Sequence, residues 1–341
     1  MSEPQLLDHA RMGSLPHCSR GERQIFRHVL ACVDGSSFAD DVLAHAAAVA
    51  LAADARMTVI RVLESSDQRS PMDPVKWTLR HRDVQAHLRE QAALFADRHA
   101  ETVIVDGPAA ERICAWTRDH AVDLTVLGRC GESDGPFAGL GGTARRVAEI
   151  VSGSVLIVPP KHVGAASVRY RRVLTPLDGS SRSECALPLA LGIAAAHGSE
   201  MILVHAVPSV DLTEAGPLEA EDVSLRDRLR ARNERAAEGY MRQVRSRLPS
   251  VPSTRVRVLP SGDPRHALAR AALDEGADLM VLSRTGQSGH PDMPVGSVAD
   301  YLINHVNIPV LLVGGRETSP PIGHRRLSEA MAVRLPRQAL L

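Results

Sequence analysis

The sequence predicts an α/β fold built twice: two tandem doubly wound domains, each around a five-stranded parallel sheet. Three observations predict it. Short Val/Ile/Leu-rich runs alternate with helical patterns, the alternation is completed twice in the same order, and four blocks of the first round recur in the second. Buried parallel strands read as continuous apolar runs, and strand–helix alternation puts helices on both faces through right-handed crossovers.

The repeat sets the register. VLACVDGSS at 29–37 returns as VLTPLDGSS at 173–181, an offset of 144. VDLTVLGRCG at 122–131 returns as ADLMVLSRTG at 277–286, an offset of 155, which also relates Gly107 to Gly262, Gly141 to Gly296, and VLIV at 155–158 to VLLV at 310–313. The second copy therefore carries an eleven-residue insertion in its middle. Self-similarity of this kind marks a repeated structural unit.

In the first copy strands are expected at 28–33, 57–63, 102–105, 123–127 and 154–158. Between them lie an Ala-rich helix near 38–53, an amphipathic one near 77–98, and shorter ones near 109–119 and 143–151. The second copy repeats the order, with strands near 172–177, 200–207, 254–259, 278–282 and 309–313. Its long middle helix places Leu225, Leu229, Tyr240, Val244 and Leu248 on one face. The domains span 25–160 and 170–314, joined by a linker at 161–169, with tails at 1–24 and 315–341.

Composition narrows the function classes. The 341 residues are 44% hydrophobic and 23% charged, as in ordinary globular domains. Forty basic residues balance forty acidic ones and aromatics are 3%, which argues against nucleic acid and membrane as partners. Five cysteines (Cys18, Cys32, Cys114, Cys130, Cys185) at irregular spacings, without CxxC, read as reduced thiols rather than disulfides or a zinc site. No signal peptide or membrane span is read, so a cytoplasmic location is expected. No histidine or carboxylate cluster falls in the predicted loops, so no metal site is expected.

In a doubly wound sheet ligands sit beyond the carboxyl ends of the strands where the strand order reverses, which selects the loops after strands one and four. Those loops are Asp34-Gly35-Ser36 and Gly128-Arg129-Cys130-Gly131; nine residues later Gly141-Gly142-Thr143 opens a helix. The second copy has Asp178-Gly179-Ser180, then Ser283-Arg284-Thr285-Gly286, and Gly296-Ser297 after the same gap. Glycines bring backbone N–H groups close to an anion, and a helix start adds unpaired donors and the positive end of its dipole. An aspartate beside them can accept from a ribose hydroxyl or an adenine amine. Each feature also has a plain structural reading. Asp34 and Asp178 suit turns and helix caps, Gly141 and Gly296 suit close packing, and Arg129 and Arg284 are either phosphate partners or solvated loop residues. Cys130 is redox-sensitive only if exposed.

The pattern G-x2-G-x9-G-[S/T], after a strand ending in Val-Asp-Gly-Ser or Leu-Asp-Gly-Ser, resembles the universal stress proteins over nearly the whole chain outside the tails. The resemblance implies an adenine-nucleotide α-hydrolase-like fold with strand order 3-2-1-4-5, a bound ATP with or without magnesium, and domains that pair through their last strands, here 155–158 with 310–313. A homodimer of such chains is a further possibility it leaves open. In copy one, Val33, Asp34 and Val62 match nucleoside contacts, and Gly128, Arg129, Gly131, Gly141, Gly142 and Thr143 form the phosphate loop. Gly142 replaces the usual hydroxyl residue. In copy two, Asp178, Gly286, Gly296 and Ser297 match, but Ser283 replaces the first glycine, so the first copy is favoured. Three functions stay open: an ATP-binding regulatory stress protein, a slow ATPase, and a nucleotide-free interaction scaffold. For hydrolysis the only nearby water-orienting groups are Glu132, Asp134 and Gln287, and the chain lacks the Walker GKS/T and the SGGxDS loop of nucleotide-transferring relatives.

Overall fold

A computed structural model describes residues 25–64, 74–95, 100–131, 139–160, 168–210, 220–287 and 293–314. The expected linker, apart from its last two residues, and both tails lie outside these.

The first repeat runs β1 (His28–Val33), α1 (Ala39–Ala53), β2 (Arg56–Leu63), α2 (Pro74–Phe95), β3 (Glu101–Asp106), α3 (Ala109–Asp119), β4 (Leu124–Gly128), α4 (Gly142–Ile150) and β5 (Ser154–Val158). The second runs β6 (Arg172–Pro176), α5 (Ser181–Glu184), α6 (Leu187–His197), β7 (Glu200–Pro208), α7 (Ala220–Arg247), β8 (Thr254–Gly262), α8 (Pro264–Asp274), β9 (Leu279–Ser283), α9 (Ser297–His305) and β10 (Val310–Val313). The one-turn helix α5 has no counterpart in the sequence reading. The Ser180 hydroxyl caps it by accepting from the Ser183 N–H.

All ten strands form one sheet, ordered β3-β2-β1-β4-β5-β10-β9-β6-β7-β8. Each half is parallel with the order 3-2-1-4-5. The halves join through the single antiparallel pair β5–β10, in which Leu156 faces Leu311. Those two residues are equivalent in the repeat, so a pseudo-two-fold axis passes between them. The internal pairing of 155–158 with 310–313 is thus part of the sheet.

Strand alternation sends Val29, Ala31 and Val33 to one face and Leu30 and Cys32 to the other. Each face carries a core that runs through both halves. Helices α1, α2, α6 and α7 cover the first, and α3, α4, α8 and α9 the second. Helix α1 is buried on most sides because alanines let it lie close to both the sheet and α6 of the other half. There His45 Nδ1 meets the Tyr170 hydroxyl at 2.9 Å, and Tyr170 is fully buried. Helix α7 differs from expectation at its start. It buries Ala237, Met241 and Val244, while Leu225 is exposed, because the helix extends past the sheet that its C-terminal half covers.

Beside the axis, Arg145 Nη1 donates to Asp300 Oδ1 at 2.9 Å. These positions too are equivalent in the repeat. Pairing two first halves, or two second halves, would bring like charges together, so the charge choice favours the mixed pair. Both side chains are about half exposed, which limits the pair to about 1 kcal/mol at most. We expect Arg145→Asp to lower the urea midpoint slightly and the exchanged pair Arg145→Asp/Asp300→Arg to restore it. Equal losses in single and exchanged variants would refute the pairing.

Candidate functional site

At the carboxyl ends of β1, β2 and β4 lies a cavity of about 630 Å³. It is bordered by Val33, Asp34, Val62, Gly128, Arg129, Gly131, Gly141, Gly142 and Thr143, so every site residue read from the first copy meets around one space. A second cavity of about 660 Å³ occupies the equivalent place and is bordered by Asp178, Gly286, Gly296 and Ser297, together with Ser283 and Arg284. Both volumes fall in the range of small-molecule sites.

Local structure explains the shape of each. Asp34 Oδ1 accepts from the Ser36 N–H at 2.9 Å and Asp178 Oδ1 from the Ser180 N–H at 2.9 Å, which folds the strand-one turns away from the strand ends. Helices α4 and α9 begin at Gly141 and Gly296 in extended conformation, and among the described residues neither receives a side-chain cap. Helices α1 and α6 also start without a side-chain cap, whereas Asp263 caps α8 and Glu64 Oε1 accepts from the Ala109 N–H at the start of α3. The two cavity helices therefore present first-turn N–H groups and positive dipole ends to the open space.

The arginine in each glycine loop turns out of its cavity. Arg129 borders the first cavity, but its Nη1 donates to the Val306 carbonyl at 3.0 Å, across the join between halves. Arg284 does the same in mirror sense, donating to the Val151 carbonyl at 2.6 Å and the Gly153 carbonyl at 2.8 Å. Of the two readings open for these arginines, phosphate partner or solvated loop residue, neither describes these contacts: carbonyls at and just past the ends of the opposite helices engage both guanidiniums. The Cys130 thiol is buried, and it lies 3.7 Å from the Gly139 carbonyl. That burial removes the exposure a redox-sensitive reading needs. Glu132 and Asp134 lie outside the described residues.

The departures in the motif resolve locally. Ser283 Oγ donates to the Thr285 carbonyl at 2.8 Å, folding the hydroxyl onto its own loop. A Cβ at Gly142 would meet nothing within 4 Å, so the missing hydroxyl leaves open room. Asp178 reaches across the second cavity: its Oδ2 accepts from the Gln287 N–H at 2.7 Å. Burial opposes its ionisation, but the hydrogen bonds from Ser180, Ser183 and Gln287 outweigh that and hold the carboxyl below its ordinary value.

Several bordering residues escaped the sequence reading. The first cavity includes Arg61, Glu64 and Arg80, and among the described residues neither arginine has a hydrogen-bond or ion-pair partner. The second includes His205, Asn233 and Tyr240 instead. Arg61 and His205 are equivalent in the repeat, one position before Val62, and that offset could have found them. Arg80, Asn233 and Tyr240 come from helices whose spacing carries no such signal. Among the described residues no three His, Cys, Asp or Glu gather to hold a metal, and no helix is long and apolar enough to cross a membrane.

His205 has a pH consequence. Desolvation lowers its pKa from the ordinary 6.5, against the opposing pull of its bond to the Leu177 carbonyl and of Asp178. A depressed histidine is neutral in both states above 6.5, and below that value the unfolded chain gains the proton first. Its contribution is thus present above pH 6.5 and lost as the pH falls through the folded value. We expect the acid limb of the stability curve below pH 6.5 to be shallower in His205→Gln than in the wild type, by denaturant midpoints. Parallel limbs would refute this.

The sequence profile of the universal stress protein family matches residues 25–159 and again 169–314. A universal stress protein of Thermus aquaticus is 30% identical over 144 residues, covering 42% of this chain and 98% of that protein. One from Mycobacterium tuberculosis (H37Rv) is 28% identical over 227 residues, covering 65% and 71%. Among solved structures, a universal stress protein from Archaeoglobus fulgidus superposes over 86% of this chain and 98% of its own, with a TM-score of 0.59 at 16% identity, a likeness of fold. With both halves of the chain matched by the family profile, the chain belongs to the universal stress protein family.

Proposed function

We propose that this chain is an ATP-binding regulatory protein of the stress response, with its nucleotide held first in the cavity of the first repeat. One observation carries the reading: the Asp34 turn and the uncapped start of α4 border the same space. Asp34 accepts from the nucleoside, Val33 and Val62 wall the base, and N–H groups of Gly128, Gly131, Gly141 and Gly142 receive the phosphates beside the Thr143 hydroxyl. Magnesium fits this as an ion carried on the phosphates, since the described residues gather no carboxylate cage. Arg61 and Arg80, which have no partner among the described residues, and the complete glycine set favour the first cavity. The second takes a nucleotide through Asp178, Gly286, Gly296 and Ser297, at the cost of exchanging the Asp178 bond to Gln287. Since β5 and β10 consume each other's edges, a homodimer would need another surface.

The test is to denature the purified chain, identify any released nucleotide, and compare melting with and without ATP and magnesium. A ligand at 100 times its dissociation constant adds about 2.7 kcal/mol. Gly142→Ser should tighten binding about fivefold, the worth of one hydrogen bond of roughly 1 kcal/mol. No released nucleotide and no shift would favour the scaffold. Steady phosphate release would favour the ATPase.

A further inference from the structure

The two glycine loops are joined to each other through the helices they face. The Arg129 carbonyl accepts from the Gly141 N–H at 2.8 Å, which ties that residue to the start of α4 at the first cavity. Its guanidinium reaches the Val306 carbonyl, at the C-terminus of α9. The N-terminus of α9 is the opening helix of the second cavity. The mirror route runs from the Gly296 N–H to the Arg284 carbonyl at 2.9 Å, then from the Arg284 guanidinium to the Val151 carbonyl at the C-terminus of α4.

The side chains are costly to place. Arg129 is buried, no carboxylate bonds either guanidinium, and both Nε atoms lack a partner among the described residues. An arginine so buried is held by the helix-terminal carbonyls, whose partial negative charge needs a donor. Two further contacts brace the same pair of helices: Arg145 with Asp300, and the Leu140 N–H with Asn304 Oδ1 at 2.8 Å.

We infer that Arg129 and Arg284 are positioning residues that couple the two cavities, each tying the glycine loop of one to the far end of the helix that opens the other. The functional consequence rests on the nucleotide reading above: a ligand that orders one loop also braces the opposite phosphate helix, and the effect is reciprocal. The two ties differ in strength, because Arg284 serves two carbonyls and Arg129 one, while the net coupling between the sites is equal in both directions.

Hydrogen exchange on the full chain without nucleotide decides the coupling. In Arg129→Gln the Gly296 and Asp300 amides, in the other half, should exchange at least fivefold faster than in the wild type. Arg129→Lys, with one carbonyl to serve, should restore the wild-type rate. Arg284→Lys keeps the charge but can serve one carbonyl of two. It should therefore speed exchange at Gly141 and Arg145 by a smaller factor, which gives a graded result should the glutamine variant fail to fold. Faster exchange confined to 302–306 in Arg129→Gln, or unchanged rates at Gly141 and Arg145 in Arg284→Lys, would overturn the proposal. With the first cavity blocked by Gly131→Trp, adding Arg129→Gln should also weaken ATP–magnesium binding at the second cavity by fivefold or more, and a change under twofold would overturn the functional consequence. If exchange responds and neither cavity binds ATP in the wild type, the coupling stands and the nucleotide reading falls.

Discussion

We expect Gly286→Val to abolish the nucleotide binding proposed for the second cavity and to destabilise the fold in the same step. A Cβ at residue 286 would overlap the Asp178 carboxylate, which would have to swing away and release the Gln287 N–H. A hydrogen bond to a charged group is worth about 1.5–3 kcal/mol, so a loss near 2 kcal/mol is expected by chemical denaturation. The ligand effect is separated by measuring ATP-dependent melting in a Gly131→Trp background, where the second cavity alone responds. There the stabilisation of about 2.7 kcal/mol at 100 times the dissociation constant should vanish with valine. An undiminished shift would mean the second cavity is not where the nucleotide sits.

Leu311→Ala is expected to cost about 2–5 kcal/mol, the range for truncating a leucine that cannot be replaced by collapse. Leu311 is 1% exposed and faces the equally buried Leu156 at the one strand pair that joins the halves. Weakening this seam should also reduce the cooperativity between the two halves, leaving them joined by the shared cores and the helix contacts across the join. Leu51→Ala is the control: Leu51 is 68% exposed, and surface changes of this kind fall within about 0.5 kcal/mol. A loss for Leu311→Ala no greater than for Leu51→Ala would show that the halves do not depend on the seam.

Much of this molecule was legible before any coordinates. Parallel strands buried on both faces leave unbroken apolar runs, so β1, β4, β5 and their repeats stood out, with ends within about a residue of those observed. The glycine spacing worked for a related reason: close approach of a ligand to backbone and a helix start without a Cβ both leave a residue-type signature. The first-cavity glycines at 128, 131, 141 and 142 were found that way, while Val33 and Val62 came from the family resemblance. What the residue pattern did not carry was direction. Arg129 and Arg284 sit in a polar glycine loop, where a sequence suggests an anion, yet helix-terminal carbonyls from 177 and 133 residues away claim them. Leu225 matches the apolar spacing of α7 and still faces solvent, because spacing defines a face and not whether anything covers it.

By itself, then, the sequence determined the repeated unit, the type and order of nearly every element, and the turns and glycines that border the two cavities. The tertiary structure decided which way the loop arginines point, and that Arg61 and Arg80 join the first cavity while His205 and Tyr240 join the second. The division follows range: backbone geometry and burial on a single element are written locally in residue type and period. A side chain's partner is chosen by whatever unsatisfied group the fold brings within reach.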